Sequence, residues 1–248
     1  MTFKDHFSGH AGAYAAARPR YPAELFAELA ARVASHALAW DVGTGNGQAA
    51  VGLAAHFDRV WATDASAEQL ARAEPHARVT YRVAPAEASG LADAQVDLVT
   101  VAQALHWFEL DAFYAEVRRV LRPSGCLAAW CYARCQVEGA LGAALDAFYD
   151  EVVGPYWPPE RRHVEAGYRT LPFPFAEEET PELALSVRWR LQELLAYVET
   201  WSALQRYRAA RGEDPLLALA ATLAPLWGEA EQPRAIVFPI FVRLGRRG

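Results

Sequence analysis

A glycine-rich turn between a short apolar segment and a helical segment constrains this chain most strongly. The apolar residues 37–40 are followed by Asp41, and residues 48–54 then carry apolar side chains at helical spacing. Strand, tight turn and helix in this order are the layout of a nucleotide-binding crossover unit. The turn itself has glycine at alternate positions, Gly43, Gly45 and Gly47.

The spacing of these glycines is Gly-x-Gly-x-Gly, which differs from the Gly-x-Gly-x-x-Gly fingerprint of dinucleotide-binding proteins. Glycines let the backbone turn sharply and let a ligand lie against bare main chain. The alternative is an ordinary strand end followed by turn glycines, with no ligand. The glycines alone therefore favour a nucleotide-like ligand without identifying it.

A second acidic residue follows the next predicted strand. The segment 60–63 is a short strand pattern, and Asp64 comes directly after it. Asp64 stands in the window where a ribose-binding acid is expected after the glycine turn, and a carboxylate can accept both ribose hydroxyls. Ser66 has the residue type and position of a helix N-cap.

The segments 41–47 and 64–66 resemble the first two motifs of class I S-adenosylmethionine-dependent methyltransferases with a type 11 methyltransferase domain. The resemblance implies S-adenosyl-L-methionine as cofactor. It also implies an α/β, Rossmann-like three-layer sandwich with a seven-stranded, mostly parallel sheet, whose last strand is antiparallel and lies beside the fifth. The cofactor contacts that it implies here are Asp41, Gly43, Thr44, Gly45, Gly47, Asp64 and Ala65.

The turn after the third predicted strand departs from the family pattern. Family members often have an acid in this turn, near the adenine amino group, and this chain has Pro85 at the matching position. Adenine recognition is then expected to use the main chain around Ala86, with Glu87 as a side-chain partner.

A near-continuous apolar run, 96–102, predicts a central parallel strand buried on both faces. The run that follows it, Gln-Ala-Leu-His-Trp-Phe, resembles the trans-aconitate methyltransferase-like branch. Ligands of open α/β sheets bind beyond the carboxyl ends of the strands, so we expect Gln103 at the cofactor and His106 and Trp107 in the methyl-transfer site. The alternative is that His106 and Trp107 only pack in the core.

The first residues contain the pattern Tyr-x-x-x-Arg-Pro-x-Tyr-Pro, which is similar to the N-terminal segment of one branch of the family. It implies a helical lid over about residues 1–35, with Tyr14 at the cofactor and Arg18 in the catalytic site. Alternatively, Arg18 caps a surface helix. Residues 137–230 are predicted to be insertions on the substrate side of a single domain, 1–248. They include the Pro- and aromatic-rich segment 154–174, which is expected to line the substrate pocket. The alternative is that this segment is a surface loop that only packs on the core.

The composition narrows the class of partner. The net charge of −6 indicates no broad attraction to nucleic acid or to an anionic membrane. No apolar run reaches transmembrane length and the first residues lack a signal-peptide core, so a cytoplasmic protein is expected. The three cysteines contain no Cys-x-x-Cys pair, so no metal site and no disulfide framework is predicted. A monomer or a homodimer is expected.

These observations predict methylation of a small molecule. A carboxylate acceptor needs no base, and the branch resemblance favours it, giving a methyl ester with Arg18 or Arg20 holding the acid. A hydroxyl or an amine would need a base, for which His106 is the best candidate. Two other classes stay open: a nucleotide-binding oxidoreductase and a non-catalytic cofactor-binding module.

Overall fold

The structure is a computed structural model that describes residues 19–248, so the predicted site residues Tyr14 and Arg18 lie outside the described residues. Strands and helices alternate through the first half of this range. The strands are β1 Leu38–Val42, β2 Arg59–Asp64, β3 Val79–Val83, β4 Val96–Ala102, β5 Leu121–Tyr132, β6 Glu177–Glu178, β7 Leu183–Trp189 and β8 Arg234–Arg246. The helices are α1 Ala23–Ala31, α2 Gln48–Leu53, α3 Ala67–Leu70, α4 Leu110–Val120, α5 Gly139–Ala147, α6 Arg161–Glu165, α7 Leu191–Glu199, α8 Ser202–Arg211 and α9 Pro215–Trp227.

The strands form one mixed sheet in the order β3-β2-β1-β4-β5-β8-β6, and β7 also pairs with β8. Strands β1 to β5 are parallel, whereas β8 runs antiparallel to β5. The Rossmann-like α/β fold and the position of the last strand are therefore as predicted. The predicted count of seven strands is wrong, because the structure describes eight. The extra strand, Glu177–Glu178, has two residues and is too short to give a periodic pattern in the sequence.

The sheet is covered by packed side chains on both faces. Successive residues of β4 alternate between two hydrophobic clusters, with Leu98 in one and Val99 and Val101 in the other. Helix α1 buries Leu25 and Phe26 in the first of these clusters. Burial on both faces explains why β4 is a near-continuous apolar run, in which Asp97 and Thr100 are the polar residues. The strand order reverses between β1 and β4, and a ligand crevice is expected at the carboxyl ends of these two parallel strands.

The Pro-rich segment 154–174 folds against the sheet and is not an extended surface loop. It contains α6, and Tyr168 within it is fully buried with φ of 63°. Arg243 of β8 anchors the segment, because one of its terminal nitrogens donates to the carbonyl oxygens of Tyr168 and Leu171, each at 2.7 Å. The other terminal nitrogen pairs with Glu177 at 2.6 Å.

None of the helices in residues 19–248 combines the length and the apolar character that a membrane crossing requires. Over the same range, no group of three or more histidine, cysteine or acidic side chains is arranged to hold a metal ion. Cys126, Cys131 and Cys135 are buried free thiols.

Candidate active site

The glycine loop between β1 and α2 has an open main-chain surface at its centre. Gly43, Gly45 and Gly47 have φ of 65°, 57° and 84°, a region that side chains other than glycine rarely adopt. A Cβ atom on Gly43 would lie 2.7 Å from the Cβ of Ala104, so packing also excludes a side chain there. A Cβ atom on Gly45 would meet no atom of residues 19–248 within 4 Å. Within the described part of the chain, the backbone at Gly45 therefore has room for a ligand to lie against it.

Asp41 holds the floor of this loop. Its carboxylate is fully buried and accepts hydrogen bonds from the Thr44 hydroxyl at 2.5 Å and from the Thr100 hydroxyl at 2.7 Å. Burial raises the pKa of Asp41 to about 6, while the two threonine hydroxyls act in the opposite direction and the nearby Asp64 adds to the rise. Asp41 thus joins the loop to the neighbouring strand β4.

Asp64 joins the loops that follow β1 and β2. Its Oδ2 accepts from the Gly45 N–H and its Oδ1 accepts from the Ser66 N–H, both at 2.8 Å. These two bonds use one acceptor position on each oxygen, of the about four that a carboxylate offers. Ser66 caps α3 as predicted, with Oγ accepting from the Gln69 N–H at 3.3 Å. Ala65, between the two, is exposed.

The loop after β3 lies directly beside Asp64. The Ala84 N–H donates to the Asp64 carbonyl at 3.0 Å. Ala86 is buried among apolar side chains, and Glu87 is partly exposed. The main chain around Ala86 is thus held near the acid at the end of β2, where the sequence analysis expects the adenine.

The loop after β4 supports the glycine loop from below. Gln103, the first residue after β4, has φ of 58°, and its N–H donates to the Trp130 carbonyl at 2.9 Å. A residue other than glycine in this conformation is strained, and such strain is concentrated at functional sites. Ala104 and Phe108 then pack under Gly43. The strained turn therefore places Gln103 and its neighbours at the carboxyl ends of β1 and β4.

His106 lies one turn further, in the short 3₁₀ segment Leu105–Trp107. Its Nδ1 and the hydroxyl oxygen of Tyr168 are 3.0 Å apart, and its ring centroid is 4.6 Å from that of Trp107. Burial lowers the pKa of His106 to about 3, and the positive charge of Arg161 lowers it further in the same direction. The imidazole is therefore neutral at physiological pH and shares its hydrogen bond with a neutral tyrosine.

The structure thus brings most of the predicted residues to one edge of the sheet. The glycine loop, Asp41, Asp64, Gln103 and His106 all lie at carboxyl ends of the parallel strands. Arg20 does not join them, because its exposed side chain pairs with Glu74 at 3.0 Å.

Sequence reasoning missed one residue in contact with His106 and one that acts on it through its charge. Tyr168 is its hydrogen-bond partner, and Arg161 is the cation that acts on it most strongly. Both lie in the segment 154–174, where the sequence carries only a general enrichment in proline and aromatic residues. A tyrosine after Gly167 gives no signal of burial, and 62 residues separate Tyr168 from His106.

The residues present fit an adenosyl cofactor. Bare main chain at Gly45, an acid at the end of β2 and a polar turn at the end of β4 all lie at the carboxyl ends of neighbouring parallel strands. Ligands of open α/β sheets bind in such a crevice, where the strand order reverses. Asp64 and the main chain around Ala86 would hold the adenosine, and the glycine loop would lie against the rest of the cofactor.

Comparison with known proteins identifies the family. A family model described as a methyltransferase domain matches residues 40–129. A Dictyostelium discoideum protein named as a methyltransferase is 31% identical over 99% of this chain and 96% of its own. A solved structure from Anaeromyxobacter dehalogenans, named as a type II methyltransferase, is 47% identical with a TM-score of 0.89, covering 92% of this chain and 97% of that one.

The chain belongs to the S-adenosylmethionine-dependent methyltransferases. It is therefore an enzyme whose cofactor is S-adenosyl-L-methionine. This result excludes the two other classes that the sequence left open, an oxidoreductase and a non-catalytic cofactor-binding module. A second structure, the YcgJ protein of Bacillus subtilis, shares only the fold: it is 16% identical with a TM-score of 0.53, covering 91% of this chain and 97% of that one.

Proposed function

We propose that this methyltransferase methylates a carboxylate oxygen of a small acid and so forms a methyl ester. The environment of His106 carries the proposal. A base that removes a proton works best with a pKa near the working pH. Burial and the charge of Arg161 hold the pKa of His106 at about 3, which makes its imidazole a weak base. An acceptor that is already an anion needs no such base.

The residues of the chain then have positioning and electrostatic roles. When bound, the cofactor supplies a methyl group on a sulfonium, and an anionic oxygen accepts it without losing a proton. Asp64 and the glycine loop orient the cofactor, and Gln103 at the end of β4 also contacts it. Trp107 offers an aromatic face, which attracts cationic groups. Tyr168 fixes the orientation of the His106 ring through their 3.0 Å contact.

The alternative is methylation of a hydroxyl or an amine with His106 as the base. It would require the imidazole to take up a proton while buried and within electrostatic range of the Arg161 guanidinium. Both factors disfavour the imidazolium, so the geometry supports the carboxylate better.

Several expectations from the sequence stay part of this proposal. Tyr14 and Arg18 belong to a lid over the cofactor, which should protect residues 8–20 from proteolysis when the cofactor is bound. Residues 137–230 form the acceptor side of the single domain. The likeness to the trans-aconitate branch suggests polycarboxylic acids among the acceptors to test.

Matched acceptors test the proposal. Trans-aconitate, octanoate and benzoate are each offered with labelled S-adenosylmethionine, beside octanol, benzyl alcohol and benzylamine. We expect label in at least one acid and none in the alcohols or the amine. Labelling of an alcohol or the amine, lost in a His106→Gln enzyme, would establish the alternative.

A further inference from the structure

We propose that Arg161 binds a carboxylate of the acceptor through its two terminal nitrogens. The inference rests on the carboxylate function proposed above and names the residue that gives it specificity. Arg161 of α6 would then have the anion-binding role that the sequence predicts for Arg18 or Arg20.

Arg161 stands at the correct end of the sheet. It begins α6, and this helix packs on the carboxyl end of β5, where the Cys131 thiol lies 3.5 Å from the Val164 carbonyl. The positive charge of Arg161 acts on the pKa values of both His106 and Tyr168. Arg161 therefore lies at the same end of the sheet as the 3₁₀ segment after β4 and within electrostatic range of it.

The guanidinium of Arg161 is held in one orientation. It stacks over the Trp157 ring, with Cζ 4.8 Å from the ring centroid. Its Nε donates to the Tyr149 hydroxyl at 2.8 Å, and that hydroxyl donates to Glu165 at 2.7 Å. A guanidinium fixed in this way loses little freedom when it binds a planar anion.

The two terminal nitrogens of Arg161 have no hydrogen-bond acceptor within residues 19–248. The side chain is 21% exposed, and its acidic neighbour Glu165 lies 3.8 Å from Nε. Glu165 thus offsets part of the charge and leaves the terminal pair unoccupied. A partly buried guanidinium with two unused donors is costly, unless a ligand completes it.

Arg134 provides the contrast. It lies over the Tyr149 ring, with Cζ 4.3 Å from the centroid, and the Cζ of Arg161 lies 5.7 Å from the same centroid. Its terminal nitrogen is already paired with Asp150 at 2.8 Å and with Asp146 at 3.4 Å. Of these two arginines on one aromatic ring, only Arg161 has its terminal pair available.

The two unpaired terminal nitrogens of Arg161 indicate which chemical group would bind there. Two parallel N–H groups match the two oxygens of a carboxylate, and charged hydrogen bonds of this kind are about twice as strong as neutral ones. A neutral amide of the same shape cannot accept from both nitrogens with the same strength. Esterification of the bound carboxylate removes its charge, which favours release of the product.

Binding without methyl transfer tests the inference. Benzoate, trans-aconitate and benzamide are titrated by calorimetry into the full chain saturated with S-adenosylhomocysteine. The variants are Arg161→Gln and Arg161→Lys, with Arg134→Gln as the matched control, and melting temperatures verify that each variant is folded. We expect Arg161→Gln to weaken binding of the acids by about 10- to 100-fold and Arg134→Gln to leave it unchanged. The affinity of Arg161→Lys for the acids should lie between those of the wild type and Arg161→Gln, because lysine keeps the positive charge but lacks the two parallel N–H groups of a guanidinium.

The outcomes separate this inference from the proposed function. Acids that bind through Arg161 but receive no methyl group would overturn the function and support the binding site. Acids that are methylated equally well by the wild type and a folded Arg161→Gln enzyme would overturn the binding site alone. Equal affinity of the wild type for benzoate and benzamide, or no binding of either acid, would also overturn it.

Discussion

The Oδ2 atom of Asp64 accepts a hydrogen bond from the Gly45 N–H at 2.8 Å, so the end of β2 fixes the centre of the glycine loop. Replacing Asp64 with Ala removes this bond and the proposed contact with the cofactor ribose. We expect Asp64→Ala to weaken cofactor binding by about 1.5–3 kcal/mol, the scale of hydrogen bonds to charged groups. Calorimetric titration with S-adenosylhomocysteine measures this loss, and an unchanged affinity would show that Asp64 does not contribute.

Alanine at Gly43 should mainly lower stability, whereas alanine at Gly45 should mainly weaken cofactor binding. Both positions have similar positive φ, 65° and 57°, so the backbone strain of about 1–2 kcal/mol is shared. Of these two positions, only at Gly43 would the new Cβ press on another side chain of the described residues, the Cβ of Ala104 at 2.7 Å.

We therefore expect Gly43→Ala to lower the free energy of unfolding by about 1–3 kcal/mol more than Gly45→Ala does. Gly45→Ala, and more strongly Gly45→Val, should instead weaken cofactor binding. Urea unfolding and calorimetry on the same variants separate the two effects. Equal stability losses at both positions would contradict the packing argument.

Asp41 should make stability depend on pH. Burial raises its pKa in the folded chain from the ordinary 3.8 to about 6, so the folded chain binds this proton more tightly than the unfolded chain does. The contribution of Asp41 to stability is therefore present below about pH 4 and is lost as pH rises to about 6.

Asp41→Asn cannot ionise and lacks this loss. Relative to the wild type, its free energy of unfolding should gain up to about 3 kcal/mol between about pH 4 and pH 7. Urea unfolding of both proteins across this range gives the difference directly. A difference that stays constant with pH would mean that the pKa of Asp41 is not raised.

His106→Gln distinguishes a positioning role from a basic one. Glutamine can still donate and accept hydrogen bonds beside Tyr168, so an enzyme that methylates a carboxylate should keep appreciable activity. An enzyme that depends on His106 as a base should lose about 100- to 10,000-fold. The rate constant of the His106→Gln enzyme with the best acceptor of the panel distinguishes the two roles. The rate constant of an Arg18→Ala enzyme, measured alongside, tests the anion-binding role predicted for Arg18.

The sequence predicts the features that repeat locally. The alternating glycines predict the loop after β1, because tight turns with positive φ favour glycine. The run 96–102 predicts β4, because a strand buried on both faces is mostly apolar. Asp64 is found from its position after β2, although its contact with the Gly45 N–H is not, since that contact depends on how two loops meet.

The surroundings of His106 could not be predicted in the same way. Tyr168 and Arg161 reach it from a segment more than 50 residues away, whose packing depends on the long-range bonds of Arg243 to the Tyr168 and Leu171 carbonyls. No local periodicity encodes such a contact. The pKa of His106 follows from that packing, so the choice between a base and a positioning residue required the structure.

Chemical analysis of the transferred methyl group tests the central claim most directly. The chain is incubated with the acceptor panel and S-adenosylmethionine labelled in its methyl group, and the purified product is treated with mild alkali. A methyl ester releases the label as methanol, whereas an ether or a methylated amine keeps it. We predict that the label is released from the product of an acid. Label that is transferred and then survives alkali would contradict carboxylate methylation.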